Sequence, residues 1–170
     1  MLKQNADEGT SGGLTLGGGT TGHGDVGGNL GYERGPLSLY GSYGFLRDNR
    51  PRRDTIYREN RYQSPLTYLE EAGLRTQVPL AHTLTGSAAY QLGRRDELSA
   101  DMDYSTRNEA ESYSLLYRDL DSAHALTGLS DRLTRGTNHE FNFEATLAYK
   151  HAFALKGHKL SSELRVVRAG

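Results

Sequence analysis

Residues 141–150 read FNFEATLAYK. Phe141, Phe143, Ala145, Leu147 and Tyr149 alternate with Asn142, Glu144, Thr146 and Lys150. Successive side chains of a strand point to opposite faces, so this stretch predicts a strand with one apolar and one polar face. The pattern recurs outward in both directions. TLTGSAAYQL sets Leu84, Gly86, Ala88, Tyr90 and Leu92 against Thr85, Ser87 and Gln91, and LSADMDYS sets Leu98, Ala100, Met102 and Tyr104 against Ser99, Asp101 and Asp103. KLSSELRVV sets Leu160, Leu164 and Val166 against Ser161, Glu163 and Arg165. Towards the start, DVGGNLGYER and PLSLYGSYGF alternate in the same way.

A seventh segment, GTSGGLTLGGGT, precedes these and is too rich in glycine to rank on pattern alone. Fourteen of the 21 glycines fall before residue 45. Glycine inside a strand weakens it but permits close backbone approach. A flexible linker over residues 9–28 is the alternative for this part.

The composition fits such a sheet. Among 170 residues, 35% are hydrophobic, and the mean hydropathy is -0.68. A soluble globular core usually draws on roughly 45–50% apolar residues. The 20 basic and 21 acidic residues leave a net charge of -1, so no sustained positive surface exists for nucleic acid. Cysteine is absent, which excludes disulfides, thiolate chemistry and Cys-ligated zinc. No run of 18 apolar residues is present for a transmembrane helix. The start, MLKQNADEG, has no apolar core of a signal peptide, and Met1 reads as an internal methionine of a longer chain.

The strands are expected at about 9–20, 25–34, 36–47, 82–93, 97–120, 138–153 and 159–168. Short connections (33–36, 93–97, 154–158) alternate with long polar ones (about 47–82 and 119–137). In an up-and-down meander, alternate connections share one end. Tight turns at one end, long loops at the other and one apolar face per strand together mark a transmembrane β-barrel. The fold expected is therefore all-β: an antiparallel up-and-down meander of about seven long strands, forming an open segment of such a barrel. Residues 9–170 would be the partial barrel and residues 1–8 a junction segment before it. The lipid side should carry Leu39, Tyr43, Leu84, Ala88, Leu98, Met102, Phe143, Leu147 and Leu164. The lumen side should carry Ser38, Ser87, Gln91, Asp101, Asp103, Glu144, Lys150, Glu163 and Arg165. A soluble β-sandwich would instead cover the apolar face with a second sheet. Within 98–120 the apolar parity switches from even (Met102, Tyr104) to odd (Tyr113, Leu115, Tyr117), which predicts a bulge near Thr106–Glu111 or an upper half outside the bilayer.

Three stretches resemble a known family. LKQNADEGTSGGLTLGGGT looks like the plug-to-barrel junction of TonB-dependent outer-membrane receptors. GGNLGYERGPLSLYGSYGFLRDNRP is similar to their second and third barrel strands, and AAYQLGRRDELSADMDYS to the periplasmic turn between strands four and five. The resemblance covers nearly all of this chain and a small part of such a receptor. It implies a location in the bacterial outer membrane and uptake of a scarce nutrient: a ferric siderophore, cobalamin, glycan or peptide. Energy would come from the TonB system through an N-terminal part outside this sequence. Implied partners are outer-membrane lipid on the apolar face, the protein's own plug domain in the lumen and a small nutrient at the long loops. The alternatives are a small non-transporting outer-membrane barrel or adhesin and a soluble β-sheet binding module.

The arginine-rich stretch RDNRPRRDTIYRENR is the candidate ligand loop, with Arg50, Arg52, Arg53, Tyr57, Arg58, Arg61 and Tyr62 available to an anionic ligand. A self-paired, solvated loop is the competing reading. The six histidines show no metal-ligand spacing, and no nucleophile elbow occurs. Neither an enzyme nor a cofactor is expected.

Overall fold

A computed structural model describes residues 9–62, 64–155 and 157–170. The expected junction segment 1–8 lies outside the described residues. Eight strands form one antiparallel sheet: β1 (Gly9–Gly18), β2 (Gly24–Arg34), β3 (Leu37–Arg47), β4 (Arg50–Asn60), β5 (Thr67–Gln91), β6 (Asp96–Leu120), β7 (Leu126–Ala152) and β8 (Lys159–Ala169). No helix occurs among the described residues. The order is sequential, β1-β2-β3-β5-β6-β7-β8, with β4 also paired to β5. The sheet is open, so β1 and β8 each have one paired neighbour.

Eight strands occupy seven lanes. β3 pairs with the half of β5 running from Leu80 to Tyr90, and β4 pairs with the other half, Thr67 to Gln77. The expected long loop at 47–82 is therefore a hairpin, and the strand count rises from seven to eight. The expected loop at 119–137 is likewise strand on both sides of a short connection, since β6 reaches Leu120 and β7 begins at Leu126. β5 keeps its alternation here, with Ala72, Leu74, Val78 and Leu80 on the face of Leu84, while β4 and the upper halves of β6 and β7 mix polar residues into both faces and pair through their backbones. The two ends of the sheet thus differ in strand length rather than loop length. β5, β6 and β7 run 25, 25 and 27 residues, far beyond the usual strand of about 5–6.

The β5–β6 register is continuous from Gln91↔Glu97 to Tyr68↔Leu120, so no bulge lies at Thr106–Glu111. The register irregularity sits at Asp119/Leu120 instead. The parity switch has another cause: Tyr113, Leu115 and Tyr117 stand on the polar face, above the apolar band. Leu115 reaches 5% exposure there, opposite Gly73 of β5.

The register assigns faces. Leu39, Ala88, Ala100, Leu147 and Leu164 form one row across five lanes, and Tyr43, Leu84, Tyr104 and Phe143 form another on the same face. Leu98 and Met102 share that face. Ser38, Ser87, Gln91, Asp101, Asp103, Glu144, Lys150, Glu163 and Arg165 share the opposite one. No second layer covers the apolar face: Leu84, Leu147 and Leu164 are 39%, 47% and 65% exposed. Leu115 and Leu120 are the only buried hydrophobic residues among those described.

The apolar band has a definite height. From Leu37 to Phe45 of β3 there are eight steps. At about 3.4 Å per step this is roughly 27 Å along the strand, or roughly 21 Å after a tilt of about 40°. The rest of β5, from His82 to Thr67, rises roughly 40 Å further on the same arithmetic.

Candidate functional site

The tall half of the sheet consists of β4, β5, β6 and β7 and carries the arginine-rich stretch. Strand alternation sends Arg50, Arg52 and Arg58 to the polar face and Arg53 and Tyr57 to the other, while Arg61 and Tyr62 sit in the turn after β4. The seven candidate residues therefore do not converge on one pocket.

Most of the polar-face cations are paired. Arg52 meets Asp54 at 3.0 Å, Arg75 meets Glu111 at 3.3 Å and Arg107 meets Glu109 at 2.5 Å. Gln77 donates to Glu109 at 3.1 Å, and the Arg75 guanidinium lies 4.9 Å from the Tyr113 ring centre. In the turn, Arg61 meets Glu59 at 3.0 Å. Arg52 and Arg61 thus each have a carboxylate two residues away, as a self-paired loop would.

Arg50 belongs to a junction between β3 and β4. Asp48 is 8% exposed, and its carboxylate is hydrogen-bonded by Arg50 and by the Asn49 amide at 2.9 Å. His23, from the β1–β2 turn, lies 3.4 Å from Asp48 and 3.0 Å from Asp25. The Arg50 guanidinium holds the Asp48 carboxyl below its ordinary value against the opposing effect of burial.

The outer tip carries an aromatic stack that the sequence reading half missed. Tyr57 stacks on Tyr68 with centroids 5.7 Å apart, and Tyr68 stacks on His124 at 4.2 Å. Tyr57 Oη lies 3.5 Å from His124 Nδ1. His124 adopts φ 61, rare for a residue with a side chain, in a turn held by Asp121. The Asp121 carboxylate accepts from the amides of Ala123 at 2.8 Å and Ala125 at 2.9 Å. Burial, then the neighbouring Tyr68 and the carboxylates of Glu59 and Glu70, push the Tyr57 hydroxyl pKa up, so it stays a proton donor. Beside the stack, Arg58, Tyr62, Tyr68 and Asp119 help line a cavity of about 580 Å³. Of the seven candidate residues, that cavity brings Arg58 and Tyr62 together. The sequence reading does not include Tyr68, His124 and Asp119, which only the pairing of β4, β5, β6 and β7 brings beside Arg58.

Flat rings beside mixed charges suit binding of a ring-bearing or charged solute. No three His, Asp or Glu side chains among the described residues are placed to hold a metal ion. Compared with known proteins, the chain matches no family model and no curated protein.

Proposed function

We propose that this chain is part of the wall of an outer-membrane β-barrel receptor of the TonB-dependent kind, which takes up a scarce nutrient with energy from the TonB system. The observation that carries this reading is the uncovered apolar band on a single sheet. Exposed apolar patches beyond a few hundred Å² mark an interaction surface, and a band of roughly 21 Å is close to the roughly 25 Å apolar belt of outer-membrane barrels.

The rest follows from the orientation. The tight connections at 35–36, 92–95 and 153–158 would face the periplasm. The tall hairpins would stand outside, offering the tip cavity to a nutrient such as a ferric siderophore, cobalamin, glycan or peptide. The polar face, with Asp101, Asp103, Glu144 and Arg165, would line the lumen and meet the plug domain. Plugged transporters use about 22 strands, so seven lanes supply about a third of such a wall.

The reading frame around this sequence tests the proposal. A plug domain encoded upstream and further alternating strands downstream are expected. A stop codon just before Met1 with no plug encoded upstream would contradict the receptor reading.

A further inference from the structure

On the tall half, the two faces treat charge differently. The polar face mixes Arg52, Arg75 and Arg107 with Asp54, Glu109 and Glu111 and pairs them off. The face continuous with the apolar band does not. From the row of Tyr43, Tyr104, Phe143 and Arg168 up to the row of Arg53, Leu74, Ser114 and Leu133, it carries Arg47, Arg53, Arg135 and Arg168. His82 and His139 lie among them. No aspartate or glutamate occupies this face between those two rows among the described residues. All four arginines are exposed, and none makes an ion pair with a described residue. At the tight-turn end the same face does hold a carboxylate, Asp96, bonded by Tyr149 at 2.5 Å and His151 at 2.6 Å. Arg34 is also exposed on this face at the tight-turn end, so the cations gather at the opposite edge of the apolar band without being confined to it.

The height of the belt narrows its partner. Arg168 and Arg53 lie about ten strand steps apart, roughly 34 Å along the strand and roughly 26 Å after tilt. A phospholipid headgroup layer adds only about 5–8 Å to each side of a bilayer. Lower and upper arginines cannot both meet phosphates at that one level. We infer that this belt binds a glycolipid whose tall headgroup carries several phosphates at different heights, with Arg168 and Arg47 reading the lower phosphates and Arg135 and Arg53 the upper ones. Guanidinium forks match phosphate oxygens bidentately, and a stretch of this face without carboxylates leaves them no ionic partner of its own; Arg168, at the top of the apolar band, lies 6.0 Å from the Phe141 ring centre. The inference rests on the membrane reading above.

The test uses the whole barrel that contains this chain, refolded into three kinds of vesicle: phosphatidylcholine alone, phosphatidylcholine with phosphatidylglycerol, and phosphatidylcholine with a lipopolysaccharide bearing core phosphates. Flotation at low and at physiological salt reports binding. The account expects insertion in all three and the tightest binding to lipopolysaccharide. Arg135→Gln with Arg53→Gln should weaken lipopolysaccharide binding about fivefold per arginine and leave phosphatidylglycerol binding unchanged. Arg47→Gln with Arg168→Gln should weaken both. Arg75→Gln with Arg107→Gln, on the other face, should change neither. Free inorganic phosphate at millimolar concentration should not compete. Failure to insert into phosphatidylcholine would overturn the membrane reading itself. Insertion with equal binding to all three vesicles, or an upper pair as dispensable as the polar-face pair, would overturn the belt alone. Competition by free phosphate would reassign the arginines to a soluble anion.

Discussion

The backbone N–H of Asp48 donates to the carbonyl of Pro79 at 3.1 Å, and this bond carries β5 past the break between β3 and β4. Asp48 also gathers Arg50, Asn49 and His23 at that break. A carboxyl whose folded pKa is depressed contributes stability above its unfolded pKa, near 3.8, and loses it as pH falls through the lower folded value. The Asn49 amide resonance, followed by NMR in detergent micelles, should titrate with a midpoint below 3.8. In Asp48→Asn that titration should vanish. A midpoint at or above the ordinary value would show that Arg50 does not hold the carboxylate.

The two faces of β7 should respond oppositely to charge. Leu147 lies in the middle row of the apolar band, and Ala148 faces the other way. Leu147→Arg should destabilise the protein in phosphatidylcholine vesicles by about 2–4 kcal/mol, and Ala148→Arg by less than about 1 kcal/mol. Urea titration of the inserted chain reads both. Equal costs would remove the distinction between lipid and lumen sides.

Gly73 leaves room for Tyr113. A Cβ at Gly73 would sit 3.1 Å from Tyr113 Oη and 3.2 Å from Asp54 Oδ2. Gly73→Val should push the Tyr113 ring away from Arg75 and forfeit a contact worth about 0.5–1 kcal/mol at an exposed site. In a Tyr113→Ala background that part of the cost should disappear, which a double-mutant cycle measures.

Asp121 shapes the tip. Its carboxylate accepts two amides and so holds His124 under Tyr68. Each bond to a charged acceptor is worth about 1.5–3 kcal/mol. Asp121→Ala should therefore speed amide exchange at Ala123 and Ala125 about ten- to a hundredfold, read by hydrogen–deuterium exchange. Unchanged rates would show that the turn holds itself.

Seven of the eight strands are legible in the sequence, six of them because they keep a period of two with one apolar face, as in Phe141–Tyr149. The tall halves are not. In RPRRDTIYREN, Ile56 and Tyr57 are adjacent in sequence and fall on opposite faces, so no apolar stripe appears. Pairing there rests on backbone bonds and cross-strand charges such as Arg118–Glu70 at 3.0 Å. The one usable clue was Tyr113, Leu115 and Tyr117. Their parity switch signals an apolar side moving to the other face above the band, where the sequence allows either a bulge or an upper half outside the bilayer, and the continuous register leaves no bulge. The arginines stand out in the sequence as a cluster, but their division between two faces becomes visible only once Arg50–Asn60 is a strand.

The central claim is that the apolar face of this sheet touches lipid. The chain has no cysteine, so single cysteines can be introduced along β6 and β7 without background. In the vesicle-inserted protein, Phe143→Cys, Ala145→Cys and Leu147→Cys should resist a membrane-impermeant thiol reagent and, once labelled with a fluorophore, be quenched by a lipid-borne quencher. Glu144→Cys, Thr146→Cys and Ala148→Cys should react from water and escape quenching. Alternating protection of this phase is what the account predicts. Uniform reactivity along the strand, or protection of the even positions instead, would contradict it.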